Sequence, residues 1–249
     1  MKLYGYCVAD NHESRSIEID GINGSSLETL VEGDLTVAVS SFAGDQVPIT
    51  RANLLQHEKV VRAFLEKTTP LPFRFGTLVT AEQLRSCLVS RSDSLKSKLA
   101  EVKGCVEMNI KIIWDQSGTA TTSDVQPTTI AGETESDRYQ GRGAKFLLKK
   151  REQLLGERRA IESAEQIRSW LETKLSPLVK TQLINIEPER KMFFSGAYLV
   201  ERDRLESFRL QVKAARESRP ELKFLLSGPW APYSFSNIDL EFQSQFGVS

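Results

Sequence analysis

Apolar and polar residues alternate with period two over Leu3 to Ala9, Ser16 to Ile19 and Leu35 to Phe42, and most cleanly where Val106, Met108, Ile110, Ile112 and Trp114 are separated by polar positions. Period two sends successive side chains to opposite faces, so each run predicts a strand with one buried side. A different spacing separates these runs. Thr50 stands ahead of a helical stripe of Leu54, Val61, Phe64 and Leu65, and Thr80 with Gln83 forms a capping-box pattern before Leu84, Leu88, Leu95, Leu99 and Val102. Gly104 ends that second helix. Three strands, helix, strand, helix, strand is a variation on the split βαβ, ferredoxin-like arrangement, assigned here to an N-terminal α+β domain over residues 1–114.

The pattern stops at Asp115. Residues 115–142 are dominated by Ser, Thr, Gly, Asp and Glu, with too few apolar side chains to offset the entropy of ordering them, and predict a polar flexible linker. Gly141 to Lys150 predicts a short strand leading into a helix that runs to about Leu178, with Leu147, Leu154, Ile161, Leu171, Leu175 and Leu178 on its apolar side. Gly156 weakens it and Ser163 with Gln166 can cap a new start, so one bent helix and two consecutive helices both fit. Strands follow at Gln182 to Ile186 and Met192 to Val200. A helix headed by Asp203 with Glu206 comes next, carrying Leu205, Phe208, Val212 and Ala215, and then a strand at Leu222 to Leu226. This βαββαβ order predicts a C-terminal ferredoxin-like domain over residues 143–235. The tail, 236–249, alternates through Ile238, Leu240 and Phe242 to Phe246 in a way that suits covering a sheet edge or meeting a partner. The predicted fold class is therefore α+β: two domains, each a small sheet with helices, the second with a long helix.

Composition narrows the function more than the fold. Lys plus Arg and Asp plus Glu both total 33, a formal net charge of +0, so nothing global attracts nucleic acid or anionic lipid. The opening apolar run is shorter than a signal-peptide core and no stretch approaches bilayer length, so no membrane is expected. Cys7, Cys87 and Cys105 are odd in number and sit in apolar patterns, as reduced core residues of a cytoplasmic protein do.

Candidate chemistry is sparse. The sequence contains no CxxC, HExxH, Walker or GxSxG motif and no dinucleotide fingerprint, so no catalytic residue and no cofactor is expected. With His12 and His57 as its two histidines, a multi-histidine metal site is excluded. His57 lies within its helical stripe, and the ordinary reading is a half-buried ring with one satisfied nitrogen beside a solvated Glu58. In LPFRFGT, Leu71 to Thr77, Phe73 and Phe75 should share one face of a strand with Arg74 on the other, where it anchors a partner or pairs internally with a residue such as Glu107. The basic residues Lys149, Lys150, Arg151, Arg158 and Arg159 are interspersed with Glu and read as a solvated helix face. GPWAPYSF, Gly228 to Phe235, sets Trp230, Tyr233 and Phe235 on a backbone stiffened by Pro229 and Pro232, which should end strand pairing. Such a segment either packs a corner or docks a partner.

Taken in order, the opening LYGY strand, the mid-helix His57, LPFRFGT, VEMNIKI, GRGAKFLLKK and GPWAPYSF resemble the gas vesicle protein L/F family (GvpL/GvpF) over nearly the whole chain. The resemblance implies a non-enzymatic accessory protein, cytoplasmic and associated with the gas vesicle. Its partners would be the small hydrophobic shell protein and other accessory proteins, and it would limit shell-protein aggregation during nucleation. Phe73, Arg74, Phe75, Trp230, Tyr233 and Phe235 are the candidate partner-binding residues. The rival reading is a regulatory module that holds a small molecule between paired ferredoxin-like domains.

Overall fold

The computed structural model describes residues 2–10, 17–114, 142–186 and 192–238. Most of the expected linker and of the tail lies outside these residues, as do the side chains at 114, 142–149, 152–160, 192 and 193. The first sheet is built from β1 (Lys2–Asp10), β2 (Leu27–Glu32), β3 (Leu35–Phe42), β4 (Leu71–Pro72) and β5 (Leu78–Val79), in the order β2-β3-β1-β4 with β5 also on β1. Every one of these pairings is antiparallel. Helix α1 (Arg51–Leu65) starts where the Thr50 hydroxyl accepts the Asn53 N–H at 3.2 Å. Helix α2 (Ala81–Ser90) carries the full capping box of Thr80 and Gln83, each end satisfying an orphan donor. The single helix expected after Thr80 is two, because the chain breaks at Arg91 before α3 (Ser92–Val102).

The second sheet joins β6 (Cys105–Trp114), β7 (Thr181–Ile186), β8 (Met192–Glu201) and β9 (Leu222–Trp230) in the antiparallel order β7-β8-β6-β9. Helices α4 (Arg142–Leu175) and α5 (Leu205–Ser218) lie on one face. Here the sequence reading is corrected: β6 was assigned to the first sheet, yet it pairs with β8 on one side and β9 on the other. Period two tells which side of a strand is buried but not which strands flank it. With β6 as its first member, the order β6-α4-β7-β8-α5-β9 is the ferredoxin-like βαββαβ. The segment from Arg142, read as a short strand, is helical, and α4 continues as one helix to Leu175. Asp203 does not cap α5, which is preceded by a short 3-10 turn over Arg202–Arg204.

Three buried clusters form the core, and the first two of them span both sheets. Cys105, Leu199 and Ile238 join the core of the first sheet with α2 and α3. Val106 and Ala231 join the cluster of Tyr4, Tyr6 and α1. Met108, Ile110, Ile112, Phe194 and Tyr198 pack under Leu171 of α4 and Phe208 of α5. Arg202 also crosses between the halves, donating from Nη2 to the Thr68 carbonyl at 3.1 Å.

Candidate functional site

At the end of β9 the chain makes an abrupt turn. Gly228 has φ +114, and a Cβ there would come within 2.6 Å of the Glu107 carbonyl oxygen. Glycine alone accommodates that approach. The Gly228–Pro229 peptide is cis, and β9 extends to Trp230 with a register shift opposite Glu107 and Asn109, so Pro229 does not end pairing as expected. The chain then forms the short helix α6 (Tyr233–Ser236). Glu107, 3% exposed, accepts three hydrogen bonds: the Ser234 backbone N–H at 2.7 Å, the Ser234 hydroxyl at 2.8 Å and Asn109 Nδ2 at 3.0 Å. Its carboxylate therefore anchors the C-terminal segment, where the sequence had offered it as a partner for Arg74. Ser236 adds a bond to the Pro72 carbonyl at 3.3 Å, which ties the segment to the first sheet.

Behind the turn lies an aromatic cluster. His57 is 4% exposed and shares a 2.7 Å hydrogen bond between its Nδ1 and the Tyr4 hydroxyl. Tyr6 stacks on the imidazole at 5.7 Å, with Phe75 at 6.0 Å and Tyr233 at 6.3 Å between ring centroids. Burial drives the His57 pKa down to about 4; the Phe73 backbone opposes this, though Nε2 has no partner of good geometry. Glu58, expected to be solvated, is half-buried; burial raises its pKa, and it accepts from the Tyr233 hydroxyl at 3.5 Å.

A neutral, buried imidazole gives the cluster a predictable response to acid. The unfolded chain takes up a proton near the ordinary value of 6.5, whereas the folded chain resists until about 4. The stability that His57 contributes is thus present above the unfolded value and lost as the pH falls through the folded one, a change of roughly 3 kcal/mol. Melting temperature should be flat above neutrality on this account and fall on acidification. A His57→Gln variant should begin lower and lose most of that slope. An identical slope in the variant would assign the acid sensitivity elsewhere.

The sequence candidates divide. Phe73 is 0% exposed in the core of the first sheet and offers no surface. Phe75 does not share its face: the strand stops at Pro72, the Thr77 N–H turns back to the Arg74 carbonyl, and Phe75 joins the Tyr4 cluster. Tyr233 packs in that cluster and Phe235 against the core of the first sheet, both half-buried. Arg74 is exposed. Trp230 is half-buried and belongs to none of the three clusters, its indole N–H lying 3.5 Å from the Ser227 hydroxyl.

Ser227 leads to a surface that the sequence reading missed. On the face of the second sheet opposite α4 and α5, the register aligns Leu183, Ala197, Asn109 and Ser227 in one cross-strand row and Asn185, Ser195, Lys111 and Leu225 in the next. Leu183 is 49% and Leu225 53% exposed. In the row nearer the turn Leu199 and Glu107 are buried, while Thr181 at its edge is exposed. The sequence does carry a trace of this face, since Leu183 and Leu225 are apolar residues out of phase with the buried positions on their strands. By contrast, the exposed Ile49 and Leu54 occupy the two positions of a hydrophobic staple across the start of α1, which gives them a local role. No group of His, Cys, Asp and Glu among the described residues is arranged to hold a metal ion, and no described helix is long and apolar enough to cross a membrane.

Residues 2–237 match the family model described as gas vesicle synthesis protein GvpL/GvpF. The chain is 24% identical over 243 residues to gas vesicle protein F2 of Halobacterium salinarum, covering 96% of this chain and 93% of that one. It is 28% identical over 243 residues to gas vesicle protein L of a Streptomyces species, with 88% and 86% covered. Crystal structures of GvpF from Microcystis aeruginosa and Anabaena share the fold, with TM-scores of 0.74 and 0.73 at 20% and 19% identity, each covering 95% of this chain and 99% and 96% of theirs.

Proposed function

The chain belongs to the GvpL/GvpF family of gas vesicle synthesis proteins, and we propose that it serves vesicle assembly by holding the hydrophobic shell protein before that protein is incorporated. The observation that carries this reading is the uncovered face of the second sheet, where Leu183 and Leu225 stand half in solvent with Trp230 at the margin. An unassembled shell subunit exposes apolar surface that drives aggregation. A protein that binds this form lowers its free concentration and slows aggregation by mass action. Leucine and tryptophan around a few polar groups suit such a contact, because burying them is favourable while Asn109, Ser195 and Ser227 can satisfy partner backbone groups. Strand β7 at the edge of the sheet adds a second mode, in which a segment of the shell protein extends the sheet. The protein would then work in the cytoplasm at the growing vesicle, beside other accessory proteins.

Co-expression tests the reading. Shell protein made together with this chain should be recovered in a soluble complex with it, and shell protein made alone should sediment. Sedimentation in both cases, with normal vesicles in a strain lacking the chain, would refute it.

A further inference from the structure

We infer that the outer face of α1 is a second contact surface, shaped for an acidic amphipathic helix of a partner protein. One side of α1 is spent on the core, where His57, Val60, Val61, Phe64 and Leu65 are buried. At about 100° per residue, Arg51, Leu55, Lys59 and Arg62 fall within an arc of about 80° on the opposite side, and all four are exposed. The strip they form runs about 16 Å along the helix axis. At its start, the staple of Ile49 and Leu54 fixes the entry to the helix yet leaves Ile49 78% exposed, and Leu55 beside it is 58% exposed. Three large apolar side chains thus stand at one end of a row of cations.

These cations are not arranged as on a solvated helix face. On α4 and α5, exposed charges meet partners one turn away: Arg168 pairs with Glu165, Arg209 with Glu206 and Lys213 with Glu217. On α1, neither Arg51 nor Lys59 has a hydrogen-bond or ion-pair partner among the described residues. Arg62 feels the charge of Glu58, whose carboxylate accepts from Tyr233, and Glu66 follows the row at the C-cap. A chain with formal net charge +0 therefore concentrates positive charge here. A partner helix with carboxylates at i, i+4 spacing beside leucines would neutralise the row and cover Ile49, Leu54 and Leu55 together. Lipid fits less well, because an interfacial helix sinks its apolar side into the membrane and that side of α1 already lies in the core. This surface is separate from the sheet face and does not rest on the proposed function.

Fluorescence anisotropy with the full chain tests it, using two labelled synthetic helices that share a leucine stripe and carry either glutamate or lysine on both flanks. The glutamate helix should bind saturably and weaken several-fold from low to physiological salt, and the lysine helix should not bind. Arg51→Glu with Lys59→Glu should lower affinity for the glutamate helix about tenfold or more and create binding of the lysine helix. Leu55→Ser should lower it about threefold or more. All three substitutions sit on exposed positions, so the melting temperature should stay within a few degrees of the parent. Failure of the glutamate helix to bind, equal binding of both helices by the parent, or unchanged affinity after charge reversal would each overturn the assignment. So would sedimentation of the parent with phosphatidylglycerol vesicles that charge reversal abolishes, which would give the face to anionic lipid.

Discussion

Glu107→Ala is expected to lower stability by about 3–4 kcal/mol, among the largest single losses available in this fold. Three donors converge on the carboxylate, from the Ser234 backbone, the Ser234 hydroxyl and Asn109. Alanine removes the acceptor and leaves a half-buried backbone N–H without its partner, which costs more than the hydrogen bond itself is worth net. The consequence is also local. With Ser234 released, the Ser236 bond to Pro72, the Tyr233 bond to Glu58 and the packing of Ala231, Tyr233, Phe235 and Ile238 are left to keep the segment against both sheets. Denaturant unfolding should show the loss, and protease should nick the chain near residue 234 before global unfolding. Glu107→Gln keeps size and one acceptor oxygen, so its loss should be about half as large. An alanine variant within 1 kcal/mol of the parent would mean that the segment is held by packing alone.

Gly228→Ala is expected to cost about 3 kcal/mol or more, or roughly 6–12 °C in melting temperature. Two causes add. A φ of +114 is rarely adopted by residues with a side chain, and the new methyl would meet the Glu107 carbonyl at 2.6 Å and the Met108 sulfur at 2.8 Å. The thioether can move, but a central-strand carbonyl cannot without breaking its ladder. Gly24 separates the causes: its φ is +71 but a Cβ there would meet nothing within 4 Å, so Gly24→Ala should lose only about 1 kcal/mol. Equal losses at the two positions would show that backbone conformation, and not the approach to Glu107, makes glycine necessary at 228.

The helix starts at Thr50 and Thr80 are legible in the sequence, whereas the start of α5 and the distant strand pairing are not. Thr50 and Thr80 begin their helices as their side chains predict, because a cap depends on neighbours three residues away. The face of β6 that carries Met108, Ile110 and Ile112 is buried as its alternation requires, yet no property of those residues reveals that β8 and β9 flank it. Strand β2 is not marked by alternation because LETLVE, an edge strand, carries Leu, Thr and Val on one side and Glu, Leu and Glu on the other, and neither side is buried throughout. LPFRFGT was read as one strand because aromatic residues favour sheets, but Gly76 at φ +92 and the turn closing on Arg74 end it. For His57 the sequence foresaw one satisfied nitrogen; the ring proved fully buried because Tyr4, Tyr6, Phe75 and Tyr233 converge on it from three separate stretches of chain. The open sheet face was the least legible feature, since it exists only once four strands are in register.

The central claim, that this face holds the shell protein, is tested most directly by measuring capture of freshly diluted shell protein by the parent chain and by a Leu183→Asp, Leu225→Asp variant. Both substitutions sit on exposed positions, so the melting temperature should stay within a few degrees of the parent. The account predicts that the variant captures at least tenfold less shell protein, and equal capture by an equally folded variant would contradict it.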